Sequence, residues 1–522
     1  MKNYQSKYLW VFTLLIAAYY LICSIYLSKL GYITLESLFY IEKTKIVLDG
    51  LGNRLKVMGL TAPIIPFYAS VIFSLNSFLS QFAPVIASSV CTALLFYLMA
   101  STLLKNANDD FYFIILFVVF ICHPGILYAA CSGKSIALVL IFFYLFFFNL
   151  LKFYHSNTTF HISIASICLV ILTFCDFKFI WLTLFFIPLI LSITLQSLNL
   201  GEQESIFRLF ISFNNPSLRR KLLNKTFALY IIVFILPLSC VFCYKLLNQT
   251  HASDFNYFSE NPYATWTVLA DKISFDNLST STYFKVPETS LLISLSILAY
   301  CPLILVAVYL FKDSVYQILT LITPFAFVEF LHIKFDKVFL VNEYYLIFLV
   351  LSLLCIFYKA HTAKNKTALK LIVSIATVVQ LYTGYAFLKN SFIGEEQHFI
   401  TIFLNRTTDS LQDQNRGLAS YINGLPDDEH ILVDDANAYP VVAYVDNIQK
   451  LTLPYQNLFL SAIETPDKYD KYMLLANEKN EFTGFSQLNN KYIPIIKAEN
   501  SAIKVKKVYE TDDWTLYEIF DQ

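Results

Sequence analysis

The sequence predicts a polytopic α-helical membrane protein of about eleven transmembrane helices, with a small C-terminal α/β extracytoplasmic domain, and three observations carry this. Of 522 residues, 57% are apolar and only 15% charged, with a mean hydropathy of +0.57. An average soluble fold carries about 25% charged residues, so this chain is built for lipid rather than water. Apolar runs near the ~20 residues that cross a hydrocarbon core recur from the N-terminus onward. The net charge of zero also hides an asymmetry. From residue 390 onward there are 21 Asp and Glu against 11 Lys and Arg, so the tail carries −10 and residues 1–389 carry +10. The tail reads as a water-facing domain over 390–522, separate from a membrane domain over 1–389.

The spanning runs, in order, are 8–27, 84–104, 111–130, 135–153, 160–176, 179–197, 227–247, 290–311, 314–332, 338–358 and 368–388. The first is longer than a signal-peptide core and lacks a small-x-small cleavage site, so it reads as a retained anchor. Run 60–80 is apolar but contains Pro63 and Pro66 and follows Asp49, Arg54 and Lys56, so loop charge must decide whether it crosses. If it does not, and Lys2 and Lys7 lie inside, then Lys105, Lys152, the Arg208, Arg219, Arg220, Lys221 and Lys225 cluster, Lys312 and Lys359 all fall on the cytoplasmic side. A crossing at 60–80 would invert every later loop, so that option is rejected. Outer loops then cover 28–83 and 249–289. All ten Cys lie between Cys23 and Cys355, in or beside apolar runs, so no disulfide framework holds the tail. Together with the uncleaved anchor, this points to a bacterial inner membrane with a cytoplasmic N-terminus. In the tail, EHILVDD and KYMLLAN read as strands, and KVKKVYE followed by WTLYEIF reads as a hairpin.

Charges inside spans are costly, so their placement points to function. Lys134, Asp176 and Lys178 sit at outer helix ends, and Glu329, His332, Lys334, Asp336, Lys337 and Glu343 crowd the turn between the ninth and tenth spans. The span middles are nearly bare. A site at the outer face follows, rather than a relay through the bilayer. Against it stands the plain alternative that such residues snorkel to the interface, and that Glu329 and Glu343 are held by Lys334 or Lys337 as structural ion pairs.

The first outer loop, GYITLESLFYIEKTKIVLDGLGNRLKVMGLTAPIIPFY, has an informative order. Glu36 follows the first span, Tyr40 comes four residues on, a mixed helix runs to Asp49-Gly50, and TAPIIP closes the loop. In this order the sequence resembles the GT-C superfamily of membrane glycosyltransferases, such as protein O-mannosyltransferases and the aminoarabinose transferase of lipid A. The resemblance implies a sugar donor carried on a polyprenyl phosphate, a lipid, glycan or protein acceptor, inversion at the anomeric carbon, and a loop carboxylate as general base. Glu36 takes that position, with Asp49 as second choice and Tyr40 beside the site. Cations for the departing phosphate are Lys178, Lys334 and Lys337 at membrane depth, with Arg54 and Lys56 reaching in from the loop. Two departures stand out. Glu36 is followed by Ser37 instead of a second acid, and the second outer loop holds Lys134 and Ser135 instead of a carboxylate.

Gly133-Lys134-Ser135 is not a nucleotide loop, since Tyr128 occupies the upstream glycine position. His123, before Pro124, reads as a hydrogen-bonded structural histidine. Glu329 and His332 share a helical face, which is too little for a metal site; cofactors are unassigned, with a divalent metal left open. Asp434 and Asp435 read as a helix cap or solvated pair, and Tyr257, Tyr263 and Trp266 as sugar-stacking or interfacial aromatics. Partners are lipids and lipid-linked sugar, with no nucleic acid. Two other readings stay open: a GT-C-like scaffold that has lost catalysis, and a transporter, which calls for paired half-repeats and polar broken helices at the midplane.

Overall fold

The computed structural model describes residues 2–60, 63–106, 109–156, 158–197, 216–264, 286–312, 315–335, 341–360, 365–391, 393–480, 486–498 and 503–520. The chain begins with the long helix α1 (Lys2–Lys29). Three shorter helices follow: α2 (Leu35–Asp49), α3 (Arg54–Leu60) and α4 (Ile64–Ser74). With 11 residues, α4 is about 16 Å long, half of a hydrocarbon core, so it fits the proline-limited, non-crossing reading of run 60–80.

The bundle continues through α5 (Ala83–Asn106), α6 (Asp110–Cys122), α7 (Pro124–Cys131), α8 (Ile136–Ser156), α9 (Thr159–Cys175) and α10 (Leu182–Ser197). Later come helices Pro216–Tyr230 and Leu236–Ala252, joined through a π-helical stretch Ile231–Ile235. Helices Val286–Tyr300, Pro302–Phe311, Val315–Phe335, Asn342–Lys359 and Lys366–Lys389 complete it. Among the described residues, eight helices are long and apolar enough to cross a membrane, and two bent pairs raise this to as many as ten; Thr159–Cys175 is a shorter apolar helix.

Two runs read as straight spans are broken. The 111–130 run bends by 60° between Cys122 and Pro124, and the 290–311 run bends by 93° between Tyr300 and Pro302. Proline removes a backbone donor and forces the preceding residue out of the helical region. His123 and Cys301 accordingly have ψ of 116° and 69°. At the first break, Gly384 lies so close that a Cβ there would sit 2.6 Å from His123 Nε2. His123 itself is fully buried and shares a 3.1 Å hydrogen bond with the Tyr345 hydroxyl, the structural role read from the sequence.

The tail forms a five-stranded sheet of order β2-β1-β3-β5-β4, from β1 (Ile431–Leu432), β2 (Leu451–Thr452), β3 (Tyr472–Ala476), β4 (Lys504–Glu510) and β5 (Trp514–Phe520). The first three strands run parallel, and β5 pairs antiparallel with β3 and with β4, so the terminal hairpin is present. Helix Asp435–Val442 leaves β1 and packs on α2. Consequently α2 is sandwiched between bundle and tail, and its residues are buried around most of its circumference from Glu36 to Val47.

Candidate active site at helix α2

Thr34 caps α2, accepting the Ser37 N–H at 3.3 Å, and its own hydroxyl donates to the Ser132 carbonyl at 2.7 Å. Ser37 Oγ donates to the same carbonyl at 2.8 Å. The first turn of α2 is thereby fastened to the 132–135 turn between α7 and α8. Gly133 makes the approach feasible: its φ is +70°, and a Cβ would lie 2.0 Å from Ser37 Oγ. Only glycine fits both constraints.

Within this corner Glu36 is 5% exposed. Its Oε1 accepts the Tyr40 hydroxyl at 2.8 Å and the Ser135 N–H at 3.0 Å. Burial pushes its pKa above the usual carboxylate range, while the Lys134 charge and the bonds from Tyr40 and Ser135 partly offset the rise. The i, i+4 spacing read from the sequence is thus a direct contact. Lys134 Nζ pairs with Glu395 Oε2 at 2.5 Å, and Glu395 Oε1 accepts the Leu35 N–H at 2.9 Å. Burial lowers the Lys134 pKa, but Glu395 and Glu36 outweigh it and hold the ammonium above its ordinary value. Lys134, read as a departure from the family pattern, therefore supplies a cation whose charge Glu36 feels.

Two turns further along the same face of α2, Lys43 is fully buried. Its ammonium lies 2.6 Å from Asp435 Oδ2 and 3.2 Å from Glu42 Oε2, and it donates a short hydrogen bond to the Tyr455 hydroxyl. Burial lowers the Lys43 pKa, yet Asp435 and then Glu42 raise it to a value above normal. Asp434 does cap its helix, accepting Ala436 N–H at 3.2 Å. Asp435 instead reaches across to Lys43 on α2, which neither a cap nor solvation predicts.

The other sequence candidates scatter. Asp49 is exposed at the far end of α2, 13 residues or about 20 Å from Glu36, and its carbonyl accepts from Gln449 Nε2 at 3.1 Å. Arg54 is exposed and donates to the Gly50 carbonyl at 3.2 Å. Lys56 lies 5.0 Å from the centre of the Tyr257 ring, with its pKa lowered by burial against the pull of Asp435. The Lys178 backbone donates to Asp176 Oδ1 at 3.0 Å, and Asp176 Oδ2 accepts the Tyr344 hydroxyl at 3.2 Å. Lys334 stacks on Trp181 at 4.0 Å. Lys337, Asp336 and Trp266 lie outside the described residues. Glu329 takes the Ser294 hydroxyl at 2.5 Å, a partner the ion-pair reading did not include. Among the described residues no group of three or more His, Cys, Asp or Glu is arranged to hold a metal ion.

The chain is an integral membrane protein, and the comparison that shows its fold is structural. Its structure is similar to the crystal structure of ArnT from Cupriavidus metallidurans bound to undecaprenyl phosphate, with a TM-score of 0.50, 10% identity, and 97% of each chain covered. No family profile matches the chain, and no curated protein matches it significantly.

Proposed function

We propose that this protein transfers a sugar from a polyprenyl-phosphate donor to an acceptor hydroxyl at the extracytoplasmic face of a bacterial inner membrane, with Glu36 as general base. The observation that carries the reading is the placement of Glu36: a buried carboxylate with raised pKa, oriented through Oε1 by Tyr40 and Ser135, on the first turn of the helix that joins bundle and tail. The similar ArnT structure is bound to undecaprenyl phosphate, which supports a polyprenyl-phosphate ligand here.

In this reading Glu36 takes the proton of the acceptor hydroxyl as that oxygen attacks the anomeric carbon. The bond from carbon to phosphate oxygen breaks with inversion, and polyprenyl phosphate leaves with its negative charge. A carboxylate with raised pKa is a stronger base than a solvated one, and this suits the abstraction. Lys134, Lys178, Lys334, Lys337, Arg54 and Lys56 are the cations from which phosphate ligands are drawn, with Asp49 the reserve base.

The test is sugar transfer from a panel of polyprenyl-phosphate donors by purified wild-type and Glu36→Gln protein, with and without EDTA. A drop of about 10²–10⁴ in the variant is expected for loss of a general base. Unchanged transfer by Glu36→Gln removes Glu36 from this role. Solute uptake into vesicles without transfer would favour a transporter, and binding of donor without transfer would favour an inactive scaffold. Loss of activity in EDTA, restored by Mg²⁺, would add a metal.

A further inference from the structure

Beside α2 lies a cavity of about 180 Å³. Ile41, about 140° around the helix from Glu36, forms part of its wall, and Cys131 and Ser132 bring in the start of the turn that fastens α2. The opposite walls come from three places. Ser24 and Ser28 belong to the last turns of the spanning part of α1, which ends at Lys29; Gln81 and Phe82 belong to the 3₁₀ turn before α5; Arg416 and Tyr444 belong to the tail.

The lining is amphiphilic. On the bundle side it mixes Phe82, which is 41% exposed, and Val85 with Ser28 and Gln81. Towards the tail stands a guanidinium. Arg416 Nη2 donates to the Gly31 carbonyl at 2.7 Å, and the group lies 5.4 Å from the centre of the Tyr444 ring. Beyond Gly31, the guanidinium meets only the Tyr444 hydroxyl and, at 3.6 Å, Asp413, so donors remain for another group. Of the nearby acids, Asp413 is solvent-exposed and 3.6 Å from Nη1, while the Asp409 carboxylate is taken by His398 at 3.0 Å and by the Leu411 N–H. Because α1 leaves the bilayer at this level, the cavity sits where a headgroup meets its acyl chains.

We propose that this cavity holds the headgroup of an anionic phospholipid, its phosphate on Arg416 with the Ser28 hydroxyl beside it, its chains leaving past Phe82 into the bilayer. The lipid would join the tail to α1, and the inference does not depend on the transfer reaction.

The experiment is native mass spectrometry of the full-length protein from micelles doped equally with phosphatidylglycerol and phosphatidylcholine. Wild-type protein should retain phosphatidylglycerol in excess. Arg416→Gln should reduce that excess about fivefold, the worth of one cation at an anionic headgroup. Ser28→Phe, on an exposed residue that leaves the charge in place, should remove the lipid by filling the cavity, and it decides the matter if Arg416→Gln does not fold. Equal retention of both lipids by wild type, or unchanged phosphatidylglycerol in the Ser28 variant, overturns the proposal. Added undecaprenyl phosphate that leaves phosphatidylglycerol in place supports a separate site; one-for-one displacement overturns it.

Discussion

Lys43 and Asp435 stand 392 residues apart in the chain and 2.6 Å apart in space, with neither side chain exposed to solvent. Removing one partner of such a pair strands the other charge in a dry interface. Lys43→Met leaves both Asp435 and Glu42 uncompensated, and should destabilise the protein by about 3–5 kcal/mol. Asp435→Asn should cost less, because Glu42 still faces the ammonium at 3.2 Å. Thermal unfolding in detergent checks the order of the two variants, and the reverse order would discount the role of Glu42.

Tyr40→Phe removes one of the two hydrogen bonds to Glu36 Oε1. That bond lowers the Glu36 pKa, so its loss raises it. A base works in its ionised form, and the acid limb of the transfer pH profile should therefore move to higher pH in the variant. A limb that stays put, or moves down, would separate Tyr40 from the titrating group.

Gly133→Ala combines a strained φ with a Cβ 2.0 Å from Ser37 Oγ. The expected loss is at least about 2 kcal/mol, accompanied by release of the α2 N-terminus from the 132–135 turn. Limited proteolysis in the 31–37 region should detect it. Wild-type resistance to protease in this variant would mean that the turn adapts.

Asp470 is a buried tail carboxylate whose pKa burial pushes up to about 6, against the Thr452 hydroxyl bond at 2.6 Å. Its folded pKa lies above the unfolded one, near about 3.9, so its contribution to stability is complete at low pH and lost as pH rises through about 6. Asp470→Asn stays neutral throughout. It should raise stability at pH 7.5 by up to about 3 kcal/mol and flatten the pH dependence between about 4 and about 6. Unfolding of the protein over that range, read by tail Trp514 fluorescence, checks both.

Apolar periodicity made the membrane-spanning helices legible, because run length acts locally along the chain. Prolines were visible too, yet the 60° and 93° bends at Pro124 and Pro302 depend on how neighbours accommodate a broken helix. In the tail, the hairpin and β3 were readable from alternation and apolar runs, whereas β2, of two residues, carries no period at all. Within the candidate site, Glu36 and Tyr40 could be linked because they lie one helical turn apart. Lys134 with Glu395, and Lys43 with Asp435, could not: each pair is made by tertiary approach across half the chain or more. An isolated lysine near a membrane end looks the same whether it snorkels or meets a carboxylate.

The union of Lys43 with Asp435 also imposes an order on biosynthesis. At about 5–20 residues per second, a ribosome finishes Asp435 roughly 20–80 s after Lys43 has been made. Through that interval the nascent protein holds an ammonium with half its neutralising company missing, and α2 lacks its lid. Chains halted before the tail would display that unfinished surface, an exposed mark by which quality-control proteases could tell them from completed ones.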